Sequence, residues 1–92
     1  MIDAYPLDLS PSPEALESRV GDETVILHLG NDTYYGLDTL GTEIWGLLKE
    51  RVPLTEIRDR LAADYGVSAA TIEADMVRFL DDLMRNGLLV HG

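Results

Sequence analysis

The chain has no cysteine in 92 residues. That removes disulfides, thiol nucleophiles, iron–sulfur ligation and thiolate zinc sites together. Positive charge is scarce too: seven Lys and Arg stand against 17 Asp and Glu, a formal net charge of −10. A field of that sign repels nucleic acid and anionic lipid, so neither is an expected partner. No stretch approaches the ~18 consecutive apolar residues of a membrane span. The opening Met1-Ile2-Asp3-Ala4-Tyr5-Pro6 lacks the basic region and apolar core of a secretion signal, and the expected location is cytoplasmic. The two histidines, His28 and His91, have neither metal-ligand spacing nor a hydroxyl and carboxylate arranged as a triad. No enzyme activity, metal or cofactor is expected, and His28 is expected to face solvent.

What is present suffices for one domain with a single modest core. Residues 1–13 hold three of the four prolines, Pro6, Pro11 and Pro13, and show no sustained period; they read as an extended N-terminal arm preceding a single domain over 14–92. From Ala15 the pattern alternates as a strand to Val20, with a turn at Gly21-Asp22-Glu23. Thr24–Leu29 is apolar and β-branched at nearly every position, as a central strand requires. Gly30-Asn31-Asp32 turns the chain into a third strand, Thr33–Asp38; connections this short allow only an antiparallel meander. Asn31-Asp32-Thr33 also matches a glycosylation acceptor, but reads here as the hairpin turn.

After Asp38 the period becomes helical. Leu40, Ile44, Trp45, Leu47 and Leu48 share one face of a helix that ends before Pro53, with Asp38 or Thr39 as N-cap and Trp45 in the core. A second helix runs from about Thr55 to Tyr65 on Ile57, Leu61 and Ala62, and stops at Gly66. Ser68 caps a third, Ala69–Arg85, whose stripe is Ile72, Met76, Phe79, Leu80, Leu83 and Met84. Leu88, Leu89 and Val90 return to the core. The expected fold class is α+β: a three-stranded antiparallel sheet followed by three helices, winged helix-turn-helix-like.

Such an arrangement invites a DNA-binding reading, but the would-be recognition helix carries Glu73, Asp75, Asp81 and Asp82 against Arg78 and Arg85. Asp81 and Asp82 read as a solvated face, with Asp81 able to pair with Arg85 four residues on. Gly36 and Gly41 have the spacing of a phosphate loop, yet Thr42 and Glu43 stand where the lysine and the magnesium-binding hydroxyl belong; a glycine permitting close helix–sheet packing is the simpler reading.

The sheet edges differ. The first strand is flanked by Pro11 and Pro13 and displays Glu17 and Arg19, which discourage further pairing. The third has no proline, no lysine and an unobstructed backbone. With Tyr35 and Leu37 turned inward, Tyr34 and Gly36 face the other way, and Gly36 lets another chain approach. The third helix can supply the opposite wall of a groove, with Ile72, Met76, Phe79 and Leu83 for apolar depth and Asp75, Arg78 and Asp82 as polar rim.

The run "YYGLDTLGTEIWGLL" (Tyr34 to Leu48), followed by "LTEIRDRLAADYGVS" and "IEADMVRFLDDLMRNGLL", resembles the PqqD-like family of precursor-peptide recognition elements, especially the free-standing ones of lasso-peptide biosynthesis. The likeness spans about residues 15–90 and rests on the pattern Tyr-Tyr-x-Leu-[Asn/Asp]-x-x-Gly-x-x-Ile-Trp. Asp38 stands where Asn is commoner, which alters the charge of the cap. The resemblance implies a non-catalytic domain that takes the leader of a ribosomally made precursor as a fourth strand beside the third, packed against the third helix. It would then present the leader to a separate leader peptidase and, directly or indirectly, to a macrocycle-forming enzyme. Carried over by position, Thr33, Tyr34, Tyr35, Gly36, Leu37 and Asp38 form the pairing template. The candidate groove residues are Tyr34, Asp75, Met76, Arg78, Phe79, Asp82 and Leu83. The rivals are a recognition domain for a radical-enzyme-modified precursor (quinone cofactor or thioether peptide), an acidic winged-helix regulator acting through protein contacts, and a homodimer formed through the bare edge.

Overall fold

A computed structural model describes residues 2–6 and 9–91. Among the described residues a short 3-10 helix (Ile2–Ala4) precedes five strands and three α-helices: β1 (Ser10–Pro11), β2 (Ala15–Val20), β3 (Glu23–His28), β4 (Thr33–Leu37), α1 (Thr39–Lys49), α2 (Leu54–Tyr65), α3 (Ala69–Arg85) and β5 (Leu89–Val90). The expected meander is present, with β3 between β2 and β4 and both pairings antiparallel. Gly21, at φ 62°, makes the tight β2–β3 turn. The β3–β4 turn is held by the Asn31 side chain, whose Oδ1 accepts from the Thr33 amide at 3.1 Å.

Each helix is bounded by chemistry local to it. Asp38 Oδ1 accepts from the Gly41 amide at 2.8 Å and so caps α1, and the Ser68 hydroxyl accepts from the Thr71 amide at 3.2 Å and caps α3. Asp38 is therefore a cap and not the last residue of the third strand. Gly66 (φ 65°) and Gly87 (φ 72°) take the left-handed turn that ends α2 and α3. α1 ends the same way without a glycine. Arg51 adopts φ 63°, and the Arg51 and Val52 amides return to the Leu48 and Leu47 carbonyls. The left-handed turn costs about 1 kcal/mol at a residue with a Cβ. This turn stops the helix at Lys49, short of Pro53.

The core lies between the inner face of the sheet and the three helices. Ile26, Ile44, Trp45, Ile57, Leu61, Ile72, Met76, Leu80, Leu83 and Leu88 are all buried. Trp45 sits there as expected, its indole N–H donating to Glu17 Oε1 at 3.0 Å, while Lys49 Nζ reaches the same carboxylate at 2.8 Å. Glu17 thus ties β2 to α1 in addition to charging an edge. Arg58 and Glu73, 3.0 Å apart, link α2 to α3.

Three expectations are corrected. His28 is buried, because β3 turns Thr24, Ile26 and His28 to the inner face; the apolar run of β3 carries no phase from which this could be read. Its Nδ1 accepts from the Gly30 amide at 3.0 Å, which satisfies that nitrogen in place of water, and its Nε2 lies 3.9 Å from Glu14 Oε2. Arg85 pairs with Asp82, three residues earlier, at 3.1 Å, while Asp81 accepts from the Tyr5 hydroxyl. Val90 stays exposed although Leu88 and Leu89 are buried.

The N-terminal arm packs onto this core. Ile2 and Leu9 are core members, β1 pairs antiparallel with β5, and the Ser12 amide donates to the Leu88 carbonyl at 2.8 Å. Tyr5 fastens the arm to α3 through Asp81. Burial first, then the bond to Asp81 and its negative charge, push the Tyr5 phenol up to about 12.

Candidate functional site

β4 pairs with β3 on one side only, so alternate residues along its other side turn their N–H and C=O groups to an open edge. Beside that edge runs a cleft between β4 and α3. A cavity of about 140 Å³ is lined by Tyr35, Gly36, Leu37, Phe79, Asp82 and Leu83, with Asn86 at the end of the helix. A second, of about 280 Å³, is lined by Asp38, Leu40, Ile44, Asp75, Arg78 and Phe79, with Gly41 at its base. Phe79 walls both cavities. Its ring lies against Gly41, where an added Cβ would stand 3.1 Å from the Phe79 Cε1 atom. Gly41 therefore permits a close approach chiefly between α1 and α3, through the cleft's central aromatic, and also to the sheet, where the added Cβ would stand 3.4 Å from Leu37 Cβ. At Gly36 an added Cβ would meet nothing within 4 Å, so this part of the strand is open to an approaching chain.

The expected site residues divide into groups. Tyr35, Gly36, Leu37, Asp38, Asp75, Arg78, Phe79, Asp82 and Leu83 come together along the cleft. Thr33 heads the strand outside both cavities. Tyr34 is 69% exposed and stands on the outer face of the sheet, in a cross-strand row with Leu27 and Leu16. It can touch an added strand only from that side. Met76 has no exposed surface; it lies beneath the cleft as core. Leu83 is also core and shows only an edge to the cavity, whereas Phe79 is half-buried and accessible. The rim is set by two ion pairs three residues apart, Asp75 with Arg78 and Asp82 with Arg85. Exposed pairs of this kind contribute little stability and leave their charges usable.

Sequence reasoning passed over Leu40, Ile44, Gly41 and Asn86 as cleft residues. Leu40 and Ile44 were visible only as part of the core stripe of α1; that the first turn of this helix borders the cleft depends on the close approach at Gly41. Among the described residues no cluster of His, Asp or Glu could hold a metal ion, and no helix is long and apolar enough to cross a membrane.

An antiparallel meander with one open edge, flanked by a helix across an apolar cleft, defines a winged-helix-like α+β domain. Residues 23–89 match the family of the coenzyme PQQ synthesis protein D (PqqD), and the chain belongs to that family. A solved structure of TbiB1 in complex with the TbiA(beta) leader peptide is similar at 40% identity, over 87% of this chain and 93% of that one, with a TM-score of 0.83. A lasso peptide synthetase B1 complexed with the leader peptide has the same fold, with a TM-score of 0.83 at 19% identity over 90% of this chain and 98% of that one. No curated protein matches the chain.

Proposed function

We propose that this chain is a non-catalytic, cytoplasmic leader-peptide-binding protein of lasso-peptide biosynthesis. It takes the leader of a precursor peptide as a strand on β4 and delivers it to a separate leader peptidase and, directly or indirectly, to a macrocycle-forming enzyme. The observation that carries this reading is the open β4 edge lying against a cleft centred on Phe79. The 40% identical relative solved with a leader peptide supports it.

The energetics fit capture through strand and pocket together. Each backbone hydrogen bond adds a net ~0.5–1.5 kcal/mol, and ordering a flexible leader costs about 2–5 kcal/mol. A strand of five residues offers only a few outward bonds, which roughly offset the ordering. Affinity then comes from apolar side chains seated in the two cavities, each burial contributing ~1.5–3 kcal/mol. Register is set by the strand and selectivity by the cavities.

A reconstituted cleavage assay tests delivery. Adding this chain to the precursor and leader peptidase of its own pathway is expected to accelerate leader removal, and the Phe79→Asp variant is expected not to. Cleavage at the same rate with and without the chain would overturn the proposal.

A further inference from the structure

The cleft continues past the end of β4. Beyond Leu37 the chain turns into α1, and there a third depression, of about 490 Å³, opens between the start of α1 and the α2–α3 turn. Leu40, Tyr65, Val67 and Ile72 line it, together with the carboxylates of Asp38 and Asp75. It shares Asp38, Leu40 and Asp75 with the second cavity, so the three form one continuous path. A peptide held against β4 and extended beyond Leu37 crosses this depression.

Two features of the wall point to an occupant. Tyr65 and Val67 flank the left-handed Gly66 and are 43% and 42% exposed, so the fold leaves much of their apolar surface unused. The Tyr65 hydroxyl donates to Glu43 at 3.1 Å, which steadies the ring as a side wall. The lining holds two carboxylates and no Lys, Arg or His; with Asp75 paired to Arg78 of the adjoining cavity, one carboxylate is left in excess, in a chain whose formal net charge is −10. No strand backbone remains here to pair with, so recognition at this point passes to side chains.

Building on the leader-binding reading, we infer that this depression is a third leader subsite, which selects an apolar side chain with a Lys or Arg neighbour in the segment flanking the strand-paired part of the leader. The apolar side chain fills the space between Leu40, Val67 and Ile72, and the basic neighbour faces the Asp38 carboxylate, whose Oδ1 caps α1, and shares Asp75 with Arg78. The subsite extends selection beyond the reach of β4.

The test titrates fluorescently labelled synthetic peptides against the wild-type chain, Val67→Asp and Phe79→Asp, each checked for folding by circular dichroism. The peptides are the full leader encoded beside this chain and versions shortened from either end up to the paired segment. Val67 is exposed, so its substitution leaves the core intact. The expected result is a roughly tenfold loss when Val67→Asp meets the full leader, the scale of one apolar burial. The wild type should lose the same when one end of the leader is removed, with no further loss when both changes are combined. Full-strength binding by Val67→Asp while Phe79→Asp fails would refute the subsite and leave leader capture standing. So would a leader with no apolar and basic neighbours beside its paired segment. A wild-type chain that binds no leader at all would refute the reading on which the subsite rests.

Discussion

Truncating Phe79 separates binding from folding more cleanly than any other change to the cleft. The ring is mostly buried in the free chain but keeps an exposed portion and walls both cavities, so that remaining surface is what a bound peptide covers. Full burial of such a side chain contributes ~1.5–3 kcal/mol. At least about two thirds of that is realised on folding and at most about a third on binding, so Phe79→Ala should cost roughly 1–2 kcal/mol of stability and about 0.5–1 kcal/mol of binding, or roughly two- to fivefold in Kd. Phe79→Asp goes further. Its carboxylate falls four residues after Asp75 and three before Asp82, among like charges, and must lose water under the peptide. That adds about 2 kcal/mol or more and weakens binding at least about a hundredfold. Fluorescence anisotropy gives the affinities, and circular dichroism with thermal melting confirms that both variants fold. Wild-type affinity in folded Phe79→Asp would refute the placement of the peptide in this cleft.

Met76→Ala should lower stability by about 2–5 kcal/mol in chemical denaturation, while the folded fraction binds leader normally, because Met76 lies wholly beneath the cleft. Leu83→Asp should fail to fold, since it buries a charge in the core, and is therefore no test of binding. The Tyr5 phenol is held at about 12 against an ordinary 10.0. Above pH 10 the unfolded chain releases this proton before the folded one does, so stability is intact below about 10 and falls towards 12. Tyr5→Phe should remove that component of the alkaline loss in melts followed across this range. At the other end, burial tends to raise the Glu17 carboxyl, but the Lys49 and Trp45 hydrogen bonds and the charges of Lys49 and Arg19 outweigh it and hold it below its ordinary 4.5. Its contribution is present above about 4.5 and lost as pH falls through the lowered value, so Glu17→Gln should flatten the acid limb of a Trp45 fluorescence melt.

The meander and the three helices were legible because hydrophobic period and punctuation agreed. Gly21, Gly66 and Gly87 mark turns that only a left-handed residue makes easily, and Ser68 and Asp38 mark helix starts. The left-handed turn at Arg51 was not legible, since an arginine gives no such signal. The docking of the arm was hidden for another reason. Ile2 and Leu9 are isolated apolar residues among prolines, and only the tertiary fold supplies the surface they cover. His28 shows how a strand apolar on both faces conceals its phase, so that a polar residue within it can be placed on either side. Within the cleft, the open edge and Phe79 followed from strand chemistry and helical period. The same period could not separate Phe79, which keeps part of its ring exposed, from Met76 one turn earlier, which is wholly buried. Tyr65 was read only as the end of a helix and Val67 was given no role, although an aromatic and a β-branched residue on either side of a turn glycine were the available sign of a wall.

Strand capture on β4 is tested most directly by titrating the labelled leader, and a set of leaders each carrying one proline in the pairing segment, into the folded wild-type chain. Addition to an open edge predicts saturable binding at micromolar concentration or below, lost when proline removes an amide that faces β4 and kept, or weakened less, at the alternating positions that face away. Equal tolerance of proline at every position, or no binding by the folded chain, would contradict it.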